Sequence, residues 1–404
     1  MLLSRTVDRG FAPCARLSIW LLSAAFAACL MSGCAGGSEK PNPAAVKRYA
    51  DQGYVPERRF ETTSAQETWT IGSKLVDVVL LAPAPPGTYP VVIYLPGLGE
   101  PASAGLAWRQ AWARAGYAVV SAQPSQYGPE VWSSRLARAG DFISVARDAF
   151  SASSLQARTQ LMQDLLDRIS RPPRSGGGSA FDRIDASRVA VAGYDLGAQT
   201  AMIVAGENVR GVEPLRVPAG VKCIVAISPY ADFSGMGMER NFESVRLPVL
   251  SVTGPLDKDA YGLVTSAPVR RAPYQYMPAG QKYLLVLPGV PHSLLAGAGP
   301  ATGGEPKGGA KGAPAPTREA GPDADAMSDE GSPADEDRPN QKRRARSAGG
   351  RGPNAAEQAK VQTQVQSVTT AFLDAIVKDD SIASEWLNRN AKRWLGDSAE
   401  LTWK

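Results

Sequence analysis

Residues able to carry out covalent hydrolysis occur in a set order along this chain. Asp195 comes first, inside Val189 to Gln199, V-A-V-A-G-Y-D-L-G-A-Q. An apolar, strand-like run enters Gly193-Tyr194-Asp195-Leu196-Gly197, and a helix-like run, A-Q-T-A-M-I-V-A, leaves it. Glycines on either side of a reactive residue at a sharp strand-to-helix turn form the pattern of a nucleophile elbow, in which tight packing holds the apex residue in a strained backbone conformation. Serine is the usual apex residue. A carboxylate in its place is already ionised and needs no base before it attacks.

The chain has a single histidine, His292, just after the last strand-like run in L-L-V-L-P-G-V-P-H-S. A loop there lies at the carboxyl edge of a sheet, beside the elbow, where a general base has to be. Between elbow and histidine, P-V-L-S-V-T runs into Gly254-Pro255-Leu256-Asp257-Lys258-Asp259. A carboxylate in that loop can accept the imidazole N–H and fix its tautomer. Asp257 is the first choice, with Asp259 and Asp232, the latter in S-P-Y-A-D, as alternatives. The turn Pro96-Gly97-Leu98-Gly99 follows another strand-like run, so the backbone N–H groups of Leu98 and Leu196 are candidate donors to a developing oxyanion.

To bring these groups together the chain must build an alternating α/β body. Glu67 to Ile71 and Leu75 to Leu81 read as an antiparallel pair ended by Pro83, Pro85 and Pro86. Tyr89 to Tyr94, Tyr117 to Ala122, the elbow strand, Val221 to Ser228, Pro248 to Thr253 and Tyr283 to Leu287 are short continuous apolar runs, expected of strands covered on both faces. Helix-spaced residues separate several of them: Leu106, Trp108 and Trp112, then a face from Leu155 to Ile169. A mostly parallel sheet flanked by helices, in one domain over residues 64–295, follows from this alternation. Further on, Val361, Val365, Val368, Phe372 and Ile376 mark an amphipathic helix, and Ala383, Trp386, Leu387, Trp394 and Leu395 continue an apolar face. The segment 356–404 is therefore expected to pack as helices on the core, since isolated helices of this length are marginal in water.

With Gly193 to Gly197, Asp257 and His292 in this order, the chain resembles the α/β-hydrolase superfamily, and within it the compact dienelactone-hydrolase and platelet-activating-factor-acetylhydrolase-like members. The resemblance covers about Val76 to His292 and the terminal helices. It implies an α/β-hydrolase fold that hydrolyses esters, lactones or similar bonds of a small organic substrate without metal or organic cofactor. In the oxyanion turn Pro96 replaces the usual histidine.

Asp195 departs from that pattern. On an ester carbonyl it forms a mixed anhydride, an energetically poor intermediate; on a saturated carbon bearing a halide or an epoxide oxygen it forms an ordinary ester, which water activated by His292 then hydrolyses. The superfamily's haloalkane dehalogenases and epoxide hydrolases work this way. They typically carry Trp after the Asp, where Leu196 stands, and a helical cap for which Pro229 to Leu247 is short. The other function class is a catalytically inactive binding or envelope lipoprotein in which Asp195 pairs electrostatically with His292.

A formal charge of +5 over 404 residues leaves no nucleic-acid footprint. The first 33 residues join a basic start to an apolar run from Leu17 to Met31, and Ser32-Gly33-Cys34 resembles a bacterial lipoprotein signal. Cys34 is then the lipidated residue, and the membrane partner is met through this anchor. The expected location is the bacterial cell envelope, at the outer membrane facing the periplasm or exterior. Removal of the signal leaves only Cys34 and Cys223, which excludes a disulfide framework. Residues 34–63 read as a flexible tether and 296–355 as a disordered, low-complexity insertion with an acidic block before a basic one.

Overall fold

The structure is a computed structural model that describes residues 52–171, 180–231, 237–298 and 354–404. Its strands are β1 (Thr62–Ile71), β2 (Lys74–Pro83), β3 (Tyr89–Leu95), β4 (Ala118–Pro124), β5 (Ile184–Tyr194), β6 (Val221–Ile227), β7 (Val249–Thr253), β8 (Lys282–Val286) and β9 (Glu400–Trp403). They form one nine-stranded sheet in the order β1-β2-β4-β3-β5-β6-β7-β8-β9. Pairing is parallel from β4 across to β8. It is antiparallel at β1-β2, β2-β4 and β8-β9. The protein is thus α/β, with a mostly parallel sheet flanked by helices.

Alternate residues of each strand serve opposite faces, because successive side chains point to opposite sides of a sheet. On one face Val92 and Tyr94 of β3 and Ala190 and Ala192 of β5 join Trp108 and Trp112 of helix α1 (Leu106–Arg114). Their neighbours Val91, Ile93, Val189 and Val191 serve the other face, against Leu161, Met162 and Leu165. Helix α2 (Phe142–Ala149) precedes the helix that carries these three leucine and methionine residues, α3 (Ala152–Ile169). Helix α4 (Leu196–Ala205) adds Ala198, Ala201 and Met202 to the same layer. Burial on both faces explains why the central strands are continuously apolar in sequence. Cys223, in β6, is fully buried among them.

After β8 comes a single helical turn, α5 (His292–Leu295). The long helix α6 (Ala355–Val377) then packs Val365, Val368 and Phe372 on the α1 side of the sheet. Its start is fixed by a capping box between Asn354 and Glu357, which satisfies amide groups that have no acceptor within the helix. Helical segments continue from Ser381 to Leu395.

Several sequence expectations change at their edges. The last residues of the 34–63 segment belong to the folded body: Tyr54 is buried and donates its hydroxyl to Asp374 Oδ2 at 2.8 Å, Phe60 N–H bonds Arg114 O at 2.9 Å, and β1 already begins at Thr62. One aromatic residue carries no periodicity, so its docking against a helix 320 positions away leaves no local signal. The C-terminal segment is not wholly helical, because Glu400–Trp403 forms β9 on the edge of the sheet. Four residues are too few to display an alternating pattern. The ends of the 296–355 segment belong to the body: Ala107 N–H bonds Gly297 O at 3.0 Å and Gln362 Nε2 donates to Ala298 O at 2.8 Å at one end, and Asn354 and Ala355 cap and open α6 at the other. The rest of that insertion, the signal segment 1–33 and Cys34 lie outside the described residues. No described helix is long and apolar enough to cross a membrane.

Candidate active site

β5 ends at Tyr194 and α4 begins at Leu196, which leaves Asp195 alone at the apex with φ 53° and ψ −115°. This is a backbone conformation that L-residues rarely adopt, and strain of this kind costs about 1–3 kcal/mol. The flanking glycines make it possible. A Cβ at Gly193 would overlap the Gly197 carbonyl, and a Cβ at Gly197 would overlap the carbonyl oxygen of Leu95. Backbone hydrogen bonds hold the apex on both sides, from Asp195 N–H to Ile227 O and from Gln199 N–H to Asp195 O, each 3.0 Å.

The Asp195 carboxylate, in a residue only 2 % exposed, faces two partners. Oδ2 accepts the N–H of Leu98 at 3.3 Å, and Oδ1 lies 3.7 Å from His292 Nε2. The Leu98 turn is itself fixed by buried Gln123 of β4, whose Nε2 donates to the carbonyls of Gly97 and Glu100 at 2.9 Å each. Tyr261 adds a hydroxyl bond to Leu98 O at 3.1 Å. Leu196, the other expected backbone donor, is the first residue of α4, where amide groups have no intrahelical acceptor.

His292 opens α5 and is 8 % exposed. Its Nδ1 stands 2.8 Å from Asp257 Oδ1, which places the Nδ1 proton on the carboxylate side and leaves Nε2 toward Asp195. Elbow residue Tyr194 steadies the ring: the two ring centroids are 4.9 Å apart, and the Tyr194 hydroxyl bonds His292 O at 3.0 Å. The structure therefore brings Asp195, His292 and Asp257 together in one relay.

Asp259 does something else. Its carboxylate accepts the backbone N–H groups of Tyr261 and Leu263, at 2.9 and 3.0 Å, and that of Val264, as a turn residue does. Asp232 lies outside the described residues.

Asp257 is fully buried and densely partnered. Thr253 Oγ1 donates to its Oδ2 at 2.7 Å, Ser228 Oγ bonds Oδ1, and Arg270 Nε lies 3.3 Å from Oδ1. Burial pushes the carboxyl pKa upward, but the His292 hydrogen bond, the charge of Arg270, the charge of His292 and the Ser228 hydroxyl outweigh it and hold the group below its usual range. Ser228 and Thr253 stand at the carboxyl ends of β6 and β7, the edge where ligand and catalytic groups gather in parallel sheets. Arg270, also buried, donates Nη1 to Ser228 O at 2.7 Å as well. Sequence reasoning missed it, since one arginine in the polar stretch A-P-V-R-R-A has no periodic signature.

Arg270→Met is expected to destabilise the protein by about 3–5 kcal/mol at pH 7, because it leaves a buried carboxylate short of its counter-charge. The sign of the pH effect follows from Asp257. A carboxyl held low contributes stability that is complete above its unfolded value near 3.9 and is lost as the pH falls through the folded value. The deficit of the variant should therefore shrink toward pH 3, as measured by urea titration; a deficit equal at pH 7 and pH 3 contradicts the ion-pair account.

Among the described residues, no group of three or more His, Cys, Asp and Glu side chains is arranged to hold a metal ion. No protein-family model matches the chain, and a search of curated proteins returns no match either.

Proposed function

We propose that this protein is an α/β-hydrolase-fold hydrolase that acts on a small organic substrate through Asp195. The observation that carries the reading is the division of labour within one carboxylate: Oδ2 rests on the Leu98 N–H while Oδ1 faces His292 Nε2. Support for the fold comes from an oxyanion donor in the loop after β3, an elbow after β5, and the order elbow, acid, histidine along the chain.

In this reading Oδ1 attacks the substrate carbon and forms an ester on Asp195. Water, deprotonated by His292, then adds to the Asp195 carboxyl carbon, and Oδ2 carries the negative charge against Leu98 N–H until the ester breaks. Asp257 holds the imidazole and stabilises its protonated form. A saturated carbon with a halide or epoxide leaving group suits this chemistry better than an acyl carbon, because the intermediate is then an ester and not an anhydride.

The test is a panel of esters, lactones, epoxides and haloalkanes, assayed with the wild type and Asp195→Asn. Turnover of at least one class that depends on Asp195 is the expected outcome. A second reading, a non-catalytic binding protein, is favoured by the exclusion of solvent from the Asp195–His292 pair, whose residues are 2 % and 8 % exposed. A folded wild-type protein that turns over nothing on the panel would select it.

A further inference from the structure

Consecutive amides of the Leu98 turn hold two carboxyl groups. Leu98 N–H donates to Asp195 Oδ2 at 3.3 Å, and Gly97 N–H donates to Glu100 Oε2 at 2.8 Å. The two acids are thus anchored to neighbouring amides of one turn, close enough for the charge of Asp195 to act on Glu100. Glu100 Oε1 has no hydrogen-bond partner among the described residues, which leaves it able to carry a proton and donate it. The turn cannot easily move away, because Gln123 ties both Gly97 and Glu100 by their carbonyls.

Two carboxylates in such proximity do not ionise together easily, and their environments separate them. Asp195 has the histidine beside it. Glu100 has none: the groups that act on it are the Gly97 amide and the negative charge of Asp195, with the hydroxyls of Tyr94, Tyr194 and Tyr261 around the pair. Burial, opposed by the Gly97 N–H and reinforced by Asp195, pushes the Glu100 carboxyl up to about 7. A carboxyl group that holds its proton near neutral pH, beside the nucleophilic carboxyl group of Asp195, makes an acid–nucleophile pair.

We infer that Glu100 is the catalytic acid that protonates an oxygen leaving group, and that the substrate class of the site is epoxides and not haloalkanes. This rests on the reading of Asp195 as nucleophile. In the first step the bond from Asp195 Oδ1 to a ring carbon forms as the ring C–O bond breaks; the electron pair stays on the ring oxygen, which takes the Glu100 proton. In the second, His292 takes a proton from water, the hydroxide adds to the Asp195 carboxyl carbon, and the ester C–O bond breaks as His292 returns its proton to the departing oxygen. The product is a vicinal diol; hydrolysis leaves Asp195 as the carboxylic acid, which gives up its proton as Glu100 takes one back through solvent, so the net change is addition of one water to the epoxide. A halide departs with its electron pair and needs no acid, so Glu100 has no task on that substrate.

The experiment compares the wild type, Glu100→Gln and Glu100→Asp on styrene oxide and 1-iodobutane across pH 5 to 9, alongside their thermal stability. Glu100→Gln is expected to lower kcat/KM on styrene oxide about 100-fold and to abolish its decline above pH 7, while the ratio of epoxide to iodoalkane turnover falls at least about 30-fold. Glu100→Asp restores the alkaline decline in part. Equal losses on both substrates, or an alkaline decline that survives in Glu100→Gln, overturn the assignment.

Stability gives a readout independent of turnover. A carboxyl whose folded pKa is raised loses stabilising effect as the pH climbs from its unfolded value to its folded one. The Tm of Glu100→Gln relative to wild type should therefore rise between pH 5 and pH 8, and a flat difference overturns the neutral Glu100. If neither substrate turns over while that pH signature is present, the nucleophile reading has failed and takes the proton-donor role with it.

Discussion

Asp195→Asn is expected to lower turnover by at least about 10⁴-fold on the best substrate of the panel, with the fold intact. Asparagine tolerates positive φ better than most residues, so the strained apex at φ 53° remains accessible to it. Its amide oxygen can still accept the Leu98 N–H, and Gly193 and Gly197 keep the strand and helix in close approach. What disappears is the negative charge and the nucleophilic oxygen that faces His292. A neutral amide does not displace an alkoxide or a halide at a useful rate. The assay is kcat with parallel thermal unfolding; retention of more than about one hundredth of the activity in a folded variant would remove Asp195 from the covalent role.

His292→Asn should separate the two halves of the reaction. An ionised carboxylate attacks without a base, so alkylation of Asp195 is expected to continue. Hydrolysis of the resulting ester needs a proton removed from water, and loss of a positioned base costs about 10²–10⁴-fold. The variant should therefore accumulate an adduct equal to the mass of an epoxide substrate, or of a haloalkane less its hydrogen halide, seen in the intact protein and in the peptide that carries Asp195. Asp257 cannot substitute, since His292 lies between it and Asp195 in the relay, and its own oxygens are taken up by Thr253, Ser228 and Arg270. A loss of turnover with no adduct would mean that His292 acts before attack, as it does for a serine nucleophile.

The parts of the site that could be read from sequence are those where the backbone dictates the residue. Gly193 and Gly197 are legible because no other side chain fits where β5 meets α4. His292 stands out because it follows the last apolar strand run, and such runs are conspicuous when both faces of a sheet are covered. Choosing Asp257 over Asp259 needs three dimensions: the two are separated by one residue, yet one meets the imidazole and the other ties a turn. Arg270 and Glu100 were out of reach for the same reason. Their significance lies in contacts with Asp257 and the Leu98 turn, and a polar residue in a loop has the same local appearance whether or not it makes them. At the level of the fold, β9 and the docking of Tyr54 were missed because both are stabilised by partners far along the chain, Tyr283 to Val286 for the strand and Asp374 for the tyrosine.

A single turnover with enzyme in excess, in water enriched in heavy oxygen, is the most direct measurement of the proposed chemistry. If water attacks the carboxyl carbon of an Asp195 ester, the oxygen released with the product is the original carboxylate oxygen and the label remains on the enzyme. The expected result is label in the Asp195 peptide and none in the product after one turnover. Label in the product with an unlabelled Asp195 peptide would contradict the account, because water would then have attacked the substrate directly.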